Sequence, residues 1–354
     1  MTTEVLVAYD VGGTNSRVGF ALFEKGCAVS LPEFAEPISR PRRGAGALLA
    51  FIEETLAMLP EGAEIAGATC AFAGPVTHEN EVCMTNWPEP RCVTRGDLVG
   101  AGLPEAVRIV NDMVAGAEGV LDRVERDRHG LVPLHDPGEC DPDTGNIVFL
   151  APGTGLGAAT LVRTGLDDPT HVPVGCECQH TSLPTFAGDL GLCLGALQEM
   201  LGHAPTWEDV VSGRGIARVH AALQAVEFGT TPELPDDSEA SAIAESATSG
   251  DDLAVRALTT YYRALGKFAQ LLALGQQPCA GVFIGGATTS KNIEFIRRGD
   301  LVREFLDNRF VGQALAEVPV VVVEGDVNLS GALRLAAQAA RARPPKTQFR
   351  SFGE

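Results

Sequence analysis

The chain twice places a short apolar strand, a glycine–threonine turn and a second strand in direct succession. The first copy spans Val5–Phe23 with Gly13-Thr14 at its turn, and the second spans Asn146–Val162 with Gly153-Thr154. A glycine turn flanked by alternating apolar residues predicts a β-hairpin. Because a chain of 354 residues usually forms more than one domain, the repetition indicates two related subdomains.

The rest of the chain alternates between buried strands and amphipathic helices. A strand at Val107–Val110 leads into a helix predicted over Met113–Val124. Apolar residues at spacings of three and four predict a long helix around Leu258–Leu272. The strand Val318–Val323 precedes a closing helix at Leu329–Ala340. This alternation is typical of an α/β protein.

Three polar segments are predicted to lack regular structure. Asp127–Gly145 is rich in Asp, Pro and Gly, which favours a loop. The acidic segment Glu227–Glu239 is interpreted as a solvated surface loop, and Arg341–Glu354 as a polar tail.

The composition argues against several classes of protein. The chain has 27 basic and 46 acidic residues, a formal net charge of −19, which disfavours a nucleic-acid partner and an anionic membrane surface. Residues 1–20 lack the basic and apolar regions of a signal peptide. We therefore expect a cytoplasmic protein without a nucleic-acid or membrane partner. Anionic small ligands remain compatible with this charge, because backbone amides can hold them locally.

The cysteines predict reduced thiols and no disulfide framework. There are nine, an odd number, and they are scattered from Cys27 to beyond the middle of the chain. One local cluster has metal-binding residue types: Cys176, Cys178, His180 and Cys193. The cluster lacks the paired C-x2-C spacing of zinc sites, so zinc binding is disfavoured.

The first glycine turn is a candidate phosphate-binding loop. Backbone N–H groups that point outward from such a turn form a nest that suits phosphate oxygens. Asp10, at the base of the turn, is suited to hold Mg²⁺ through water, because Mg²⁺ prefers oxygen ligands and keeps part of its hydration. An ordinary hairpin turn is the alternative. The flanking Asp10 and Asn15 favour phosphate binding.

The second glycine turn argues against two common nucleotide-binding motifs. Gly153–Ala158 matches the dinucleotide pattern G-x-G-x-x-A, but that pattern opens a helix, whereas a strand is predicted at Ala158–Val162. None of the four lysines follows a glycine loop with the spacing of a P-loop. A dinucleotide-dependent dehydrogenase is therefore disfavoured, and phosphates would be held by amides, hydroxyls and magnesium.

Seven motifs follow one another along nearly the whole chain. They are Asp10-Val-Gly-Gly-Thr-Asn15, Met84-Thr-Asn-Trp87, Ile109-Val-Asn-Asp112, Gly153-Thr-Gly-Leu-Gly157, Glu177-Cys-Gln-His180, Glu208-Asp-Val-Val-Ser-Gly213 and Phe283-Ile-Gly-Gly286. In this order they resemble the bacterial glucokinase family of the sugar-kinase/actin superfamily. The resemblance implies an α/β, two-domain actin-like ATPase (ribonuclease H-like) fold with an interdomain cleft that closes to exclude water. We expect a small domain of residues 1–112 with 329–354, and a large domain of residues 113–328.

The same resemblance implies ATP-dependent phosphorylation of D-glucose at its 6-hydroxyl, with Mg²⁺, by a homodimer. Asp112, just after a predicted strand, would be the catalytic base that hydrogen-bonds the 6-hydroxyl; its alternative role is a helix N-cap. The expected sugar-binding residues are Asn111, Asp112, Glu177, His180 and Glu208. The expected nucleotide-binding residues are Asp10, Gly12, Gly13, Thr14, Asn15, Gly153, Thr154, Gly155, Gly285 and Gly286, with Asp10 also holding Mg²⁺ through water. Without the resemblance, His180 would be interpreted as a structural or solvent-exposed histidine.

The loop around Glu177 departs from the family pattern. Cys178 and Gln179 stand where the family has two glycines, and Gly175-Cys176 replaces the usual Pro-Gly. A kinase for another hexose (mannose, glucosamine or fructose) therefore stays an alternative. A non-catalytic sugar-sensing protein is a second alternative. It is disfavoured because the first strand begins by Val5, which leaves no room for a DNA-binding module, and because Asp112 is intact.

Overall fold

The computed structural model describes residues 3–13, 15–30, 36–77, 81–84, 87–126, 128–138, 141–165, 170–236 and 238–342. Thr14, the two central residues of the Met84–Trp87 motif and the tail beyond residue 342 lie outside the described residues. The chain divides into two compact units: unit 1 comprises residues 1–119 and 328–354, and unit 2 comprises residues 120–327. The domain limits at residues 112 and 328 stay a prediction.

The described residues of unit 1 form two sheets and four helices, and the third helix continues into unit 2. The strands are β1 (Glu4–Val11), β2 (Asn15–Glu24), β3 (Cys27–Ser30), β4 (Ile38–Pro41), β5 (Glu64–Phe72), β6 (Val76–Thr77), β7 (Glu81–Cys83), β8 (Cys92–Thr94) and β9 (Arg108–Asn111). The helices are α1 (Ala45–Leu56), α2 (Arg95–Gly100), α3 (Asp112–Arg126) and α13 (Asn328–Arg341). The large sheet has the order β3-β2-β1-β5-β9, with β4 also paired to β2, and β6-β7-β8 form a small sheet.

The large sheet of unit 1 combines an antiparallel hairpin with two parallel strands. β1 runs antiparallel to β2 and parallel to β5, which is parallel to β9. Val11 lies beside Phe72, and Phe72 lies beside Asn111. The carboxyl ends of β1, β5 and β9 therefore meet at one edge of this sheet.

Helices α3 and α13 approach each other closely at a glycine. A Cβ added to Gly331 would lie 1.8 Å from the carbonyl oxygen of Ala115 and 2.5 Å from the backbone nitrogen of Gly119. Both neighbours are backbone atoms, so a larger residue cannot be accommodated by rotating a side chain. Only glycine allows this separation between the two helices.

We expect Gly331→Ala to lower the free energy of unfolding by about 3 kcal/mol, because the methyl group overpacks a backbone contact. Urea denaturation of the purified variant measures this value. Gly46→Ala in α1 is the matched control, since nothing lies within 4 Å of the added Cβ. That control should change stability by less than about 1 kcal/mol. Equal midpoints for the two variants would contradict the close approach.

Unit 2 is built around one six-stranded sheet. Its strands are β10 (Leu131–His135), β11 (Ile147–Pro152), β12 (Leu156–Thr164), β13 (Thr170–Cys176), β14 (Gly281–Ile284) and β15 (Val320–Val323). Its helices are α4 (Gly188–Leu201), α5 (Trp207–Val210), α6 (Gly213–Phe228), α7 (Glu239–Thr248), α8 (Asp252–Gln276), α9 (Ala287–Lys291), α10 (Ile293–Ile296), α11 (Asp300–Leu306) and α12 (Gly312–Leu315). Among the residues described, no helix combines the length and apolar character needed to cross a membrane.

The strand order of unit 2 repeats that of unit 1. The sheet runs β10-β15-β14-β11-β12-β13. β11 to β13 form an antiparallel meander, as β1 to β3 do, and β14 and β15 add in parallel to β11, as β5 and β9 add to β1. The prediction of an α/β protein with two strand–turn–strand motifs is thus confirmed at the level of topology.

One expectation about secondary structure is wrong, and one helix was not predicted. The segment 127–145, predicted to be a loop, contains β10, which pairs antiparallel with β15. Pro133 interrupts the β pattern of this strand, and proline is tolerated because β10 is at the sheet edge. Helix α6, which follows Ser212, was not predicted, because Gly213 and Gly215 in its first turn are poor helix formers. The Ser212 hydroxyl caps this helix by accepting a hydrogen bond from the backbone N–H of Gly215 at 3.2 Å.

The expectation that all cysteines are reduced thiols is also wrong. Cys83 and Cys92 lie directly opposite each other on β7 and β8 and form a disulfide. This disulfide could not be predicted from the sequence, because the two cysteines are brought together only by the pairing of β7 with β8. The candidate zinc cluster around Cys176 does not assemble: a ligand group of this kind occurs among the described residues only at Glu81, Cys83 and Cys92.

Candidate active site

The tip of the β1–β2 hairpin forms the predicted first glycine turn. The backbone N–H of Gly12 donates to the carbonyl oxygen of Asn15 at 2.9 Å, which closes the turn around Gly13. Gly12, Gly13 and Asn15 therefore lie together at the tip, and Thr14 falls outside the described residues. A tight turn of this kind offers backbone amides to an anion.

Asp10 at the base of this turn is 7% exposed and is paired with a residue that the sequence analysis did not select. The hairpin register places Arg17 opposite Asp10. The Arg17 Nε donates to Asp10 Oδ2 at 3.0 Å, and its Nη2 contacts the same oxygen. An ionised carboxylate beside an amide nest has the oxygen chemistry that water-mediated Mg²⁺ requires. Arg17 could have been found from the pairing of β1 with β2, because the length of the turn fixes which residues of the two strands lie opposite each other.

Asn111 and Asp112 lie where β9 ends and α3 begins. Asn111 Nδ2 donates to the carbonyl oxygen of Gly74 at 3.2 Å. The backbone N–H of Met113 donates to Asn111 Oδ1 and to Asp112 Oδ1, both at 2.9 Å. Both side chains thus accept a hydrogen bond at the first turn of α3, the end of a helix that attracts negatively charged groups. The hairpin tip, Gly74 and Asp112 share one edge of the unit 1 sheet.

The second glycine turn is held by the segment that follows α5. The backbone N–H of Gly153 donates to the carbonyl oxygen of Gly155, and that of Gly213 donates to the carbonyl oxygen of Gly153, both at 2.7 Å. Thr154 lies exposed at the tip. The loop is therefore rigidly placed on the edge of the unit 2 sheet.

Glu208 fixes this loop from the other side. Its Oε2 accepts a hydrogen bond from the backbone N–H of Leu156 at 3.0 Å, and its Oε1 lies 3.4 Å from Arg214 Nη2. A Cβ on Gly155 would come within 2.7 Å of the same carboxylate. A predicted sugar-binding residue thus also supports a predicted nucleotide-binding loop, and Arg214 is a further residue that the sequence analysis missed.

Gly285 and Gly286 follow β14 and lie against the start of the same loop. The backbone N–H of Gly285 donates to the carbonyl oxygen of Leu150 at 2.7 Å. Gly286 has φ +90°, and an added Cβ would lie 2.2 Å from the carbonyl oxygen of Pro152. Only glycine fits there. The structure therefore brings the glycine pair together with the Gly153 turn.

Glu177 directly precedes a 3-10 turn over Cys178–His180, and His180 is the last residue of that turn. Their side chains are 65% and 58% exposed, and His180 Nε2 lies 3.4 Å from Glu177 Oε2. Gln179 is only 5% exposed, and its Nε2 donates to the same Glu177 oxygen at 2.7 Å. Burial raises the pKa of the neighbouring Cys176 thiol to about 11, so Cys176 is uncharged at neutral pH.

The Glu177 turn adjoins the segment that carries Glu208. The backbone N–H of Trp207 donates to the carbonyl oxygen of Thr181 at 3.3 Å, and Ser182 bridges to Thr206. Three of the predicted sugar-binding residues, Glu177, His180 and Glu208, are thereby held in one neighbourhood of unit 2. Asn111 and Asp112 belong to unit 1.

A family model matches almost the whole chain, including all of these motifs. The family model described as Glucokinase matches residues 6–339. The chain belongs to the glucokinase family. It is 29% identical over 320 residues to "Glucokinase" of Caulobacter sp. (strain K31), covering 89% of each chain. It is 30% identical over 337 residues to "Glucokinase-like protein" of Xylella fastidiosa (strain 9a5c), covering 93% of each.

The fold agrees with that of solved glucokinases. The crystal structure of glucokinase from Balamuthia mandrillaris in complex with glucose has a TM-score of 0.76 and 24% identity, over 96% of this chain and 94% of that one. The predicted actin-like ATPase fold class of this glucokinase-family chain is confirmed. The roles of the individual site residues stay predictions.

Proposed function

We propose that this glucokinase-family chain transfers the γ-phosphoryl group of ATP to the 6-hydroxyl of D-glucose. The observation that carries the proposal is the family match over residues 6–339, within which both glycine turns and the Asn111-Asp112 pair are intact. Phosphoryl transfer needs positioned charge stabilisation and an acceptor for the hydroxyl proton. We assign the first role to the two glycine turns and the second to Asp112.

In the proposed reaction Asp112 accepts the proton of the 6-hydroxyl as the O6–P bond forms and the bond to ADP breaks. A positioned general base contributes about 10²–10⁴-fold. The hydrogen bond from the Met113 backbone N–H holds the Asp112 carboxylate at the N-terminus of α3. The capping role and the catalytic role of Asp112 are therefore compatible.

The phosphates are assigned to the two glycine turns and to Gly285-Gly286. The Asp10 carboxylate is assigned to hold a hydrated Mg²⁺ through water, which would neutralise charge on the phosphate oxygens. Arg17 keeps the Asp10 carboxylate oriented. Thr14 and Thr154 are assigned to the same phosphate sites as hydroxyl donors.

The sugar hydroxyls are assigned to Asn111, Glu177, His180 and Glu208. Charged acceptors and a histidine suit a ligand with many donor and acceptor groups, and a missing partner leaves a buried polar group unpaired. The proposal also includes a cytoplasmic location and a homodimer, as the resemblance to bacterial glucokinases implies. Size-exclusion chromatography with light scattering tests the dimer.

The regiochemistry is tested with 6-deoxyglucose, which lacks only the reacting hydroxyl. Phosphorus-31 NMR of a reaction with glucose should show a sugar phosphate ester at carbon 6. The same reaction with 6-deoxyglucose should give no ester. A phosphorylated 6-deoxyglucose would contradict transfer to the 6-hydroxyl.

A kinase for another hexose is the second candidate, and the position of Gln179 favours it. Its amide donates a hydrogen bond to one oxygen of Glu177, and it stands at a position where the family has glycine. A hydrogen bond to a charged group contributes about 1.5–3 kcal/mol. Glucose, mannose, glucosamine and fructose compared in one ADP-release assay separate this candidate from the first.

We expect Gln179→Gly to change the ratio of kcat/KM between two of these hexoses by at least about tenfold, as loss of such a bond implies. The KM for ATP should stay unchanged. Cys178→Gly, at the exposed neighbouring position, is the matched control. An unchanged hexose ratio in Gln179→Gly would show that Gln179 has no part in sugar selection.

A further inference from the structure

We propose that Glu81, Cys83 and Cys92 form a binding site for a thiophilic divalent cation of the zinc type when the Cys83–Cys92 disulfide is reduced. The ligand atoms of these three residues all lie within 4.8 Å of one another. None of the three residues is among those assigned to sugar or nucleotide.

The strand register explains why these three side chains share one face. Val82 and Val93 lie opposite each other on β7 and β8 and are fully buried in the core of unit 1. Side chains alternate between the two faces of a strand. Glu81 and Cys83, which flank Val82, and Cys92, which precedes Val93, therefore lie on the face turned away from that core.

The cysteines have the separation that a bound metal requires. Cys83 and Cys92 are a direct cross-strand pair with a Cα–Cα distance of 4.0 Å. Two thiolates bound tetrahedrally to zinc at about 2.3 Å lie about 3.8 Å apart. Side-chain rotation across neighbouring strands spans this distance, since opposite Cβ atoms are about 4.5–5.5 Å apart.

Glu81 supplies the third ligand. Its carboxylate has no hydrogen bond or ion pair to another described residue. Its cross-strand neighbour Thr94 is engaged in the capping box of α2 with Asp97. Two thiolates, one carboxylate and a water molecule complete a four-coordinate site with an open position.

Access to the site depends on the oxidation state of the pair. The structure contains the disulfide, in which both sulfurs are bonded to each other. A phosphine reductant and one water molecule convert it to two thiols and a phosphine oxide, so two electrons and two protons reach the sulfurs. Metal binding then releases the two thiol protons to solvent. Oxidised protein should bind no metal at this hairpin.

Cobalt(II) reports thiolate ligation directly. Protein reduced with the phosphine and desalted without oxygen is titrated with Co²⁺, followed by Zn²⁺. We expect one equivalent of Co²⁺ with a thiolate-to-cobalt charge-transfer band, which Zn²⁺ removes. Cys83→Ser and Cys92→Ser should abolish the band. Glu81→Gln should weaken binding by about tenfold or more.

Two controls and one measurement on the wild-type chain complete the test. Cys178→Ser and Cys279→Ser, at exposed free cysteines, should keep the band. In the reduced wild-type protein, bound Zn²⁺ should protect Cys83 and Cys92 from alkylation in peptide mass spectrometry, which does not depend on how a variant folds. A band that survives in Cys83→Ser, a band lost in Cys178→Ser, or no protection by Zn²⁺ would overturn the proposal.

Discussion

Replacing Asp112 with asparagine is expected to lower kcat by about 10²–10⁴-fold, the usual contribution of a general base. The amide still hydrogen-bonds the 6-hydroxyl but cannot take its proton. Asparagine also retains an oxygen that can accept from the backbone N–H of Met113, as Asp112 Oδ1 does. Glucose affinity, measured by calorimetry without nucleotide, should therefore change little while turnover is nearly lost.

Asp122→Asn is the control for this experiment. Asp122 lies on the same helix and pairs with Arg126 four residues later. The substitution therefore removes one carboxylate charge from α3 far from Asp112 and the end of β9. Its turnover should equal that of the wild type. Near wild-type turnover of Asp112→Asn would show that Asp112 is not the base.

The second large effect is expected at Glu208, where two substitutions separate two roles. Glu208→Ala removes the acceptor of the Leu156 N–H and the partner of Arg214. Loss of a hydrogen bond to a charged group costs about 1.5–3 kcal/mol, a factor of about 10–100. We expect the KM values for both glucose and ATP to rise by this factor, measured by steady-state kinetics.

Glu208→Gln keeps an oxygen that can accept from Leu156 but removes the negative charge. The KM for ATP should stay near the wild-type value in this variant, while the KM for glucose rises. Glu199→Ala, an exposed glutamate on α4, is the control and should leave both values unchanged. If Glu208→Ala altered neither KM, the carboxylate would support neither the loop nor the sugar.

Local patterns predicted most of the architecture. The two hairpins, the strand before Asn111 and the long helix α8 depend on period and turn residues, which the sequence shows directly. β10 was missed because Pro133 interrupts its short apolar run and polar segments lie on both sides of the strand. α6 was missed because two glycines occupy its first turn. In both cases tertiary pairing or capping overrode local preference.

The partners of the site residues could be predicted less well than the residues themselves. Arg17 reaches Asp10 because of the hairpin register, and the buried Gln179 reaches Glu177 across the start of a 3-10 turn. The Cys83–Cys92 disulfide depends on the pairing of β7 with β8. Such contacts arise from three-dimensional placement, which motif spacing does not encode.

The central claim is ATP-dependent phosphorylation of glucose. It is tested most directly by ADP release from Mg·ATP in the presence and absence of glucose, with glucose 6-phosphate measured in the same reaction. We expect glucose-dependent release, with one glucose 6-phosphate formed for each ADP. Absence of release, in protein that still binds glucose calorimetrically, would contradict the kinase and point to a sugar-sensing protein.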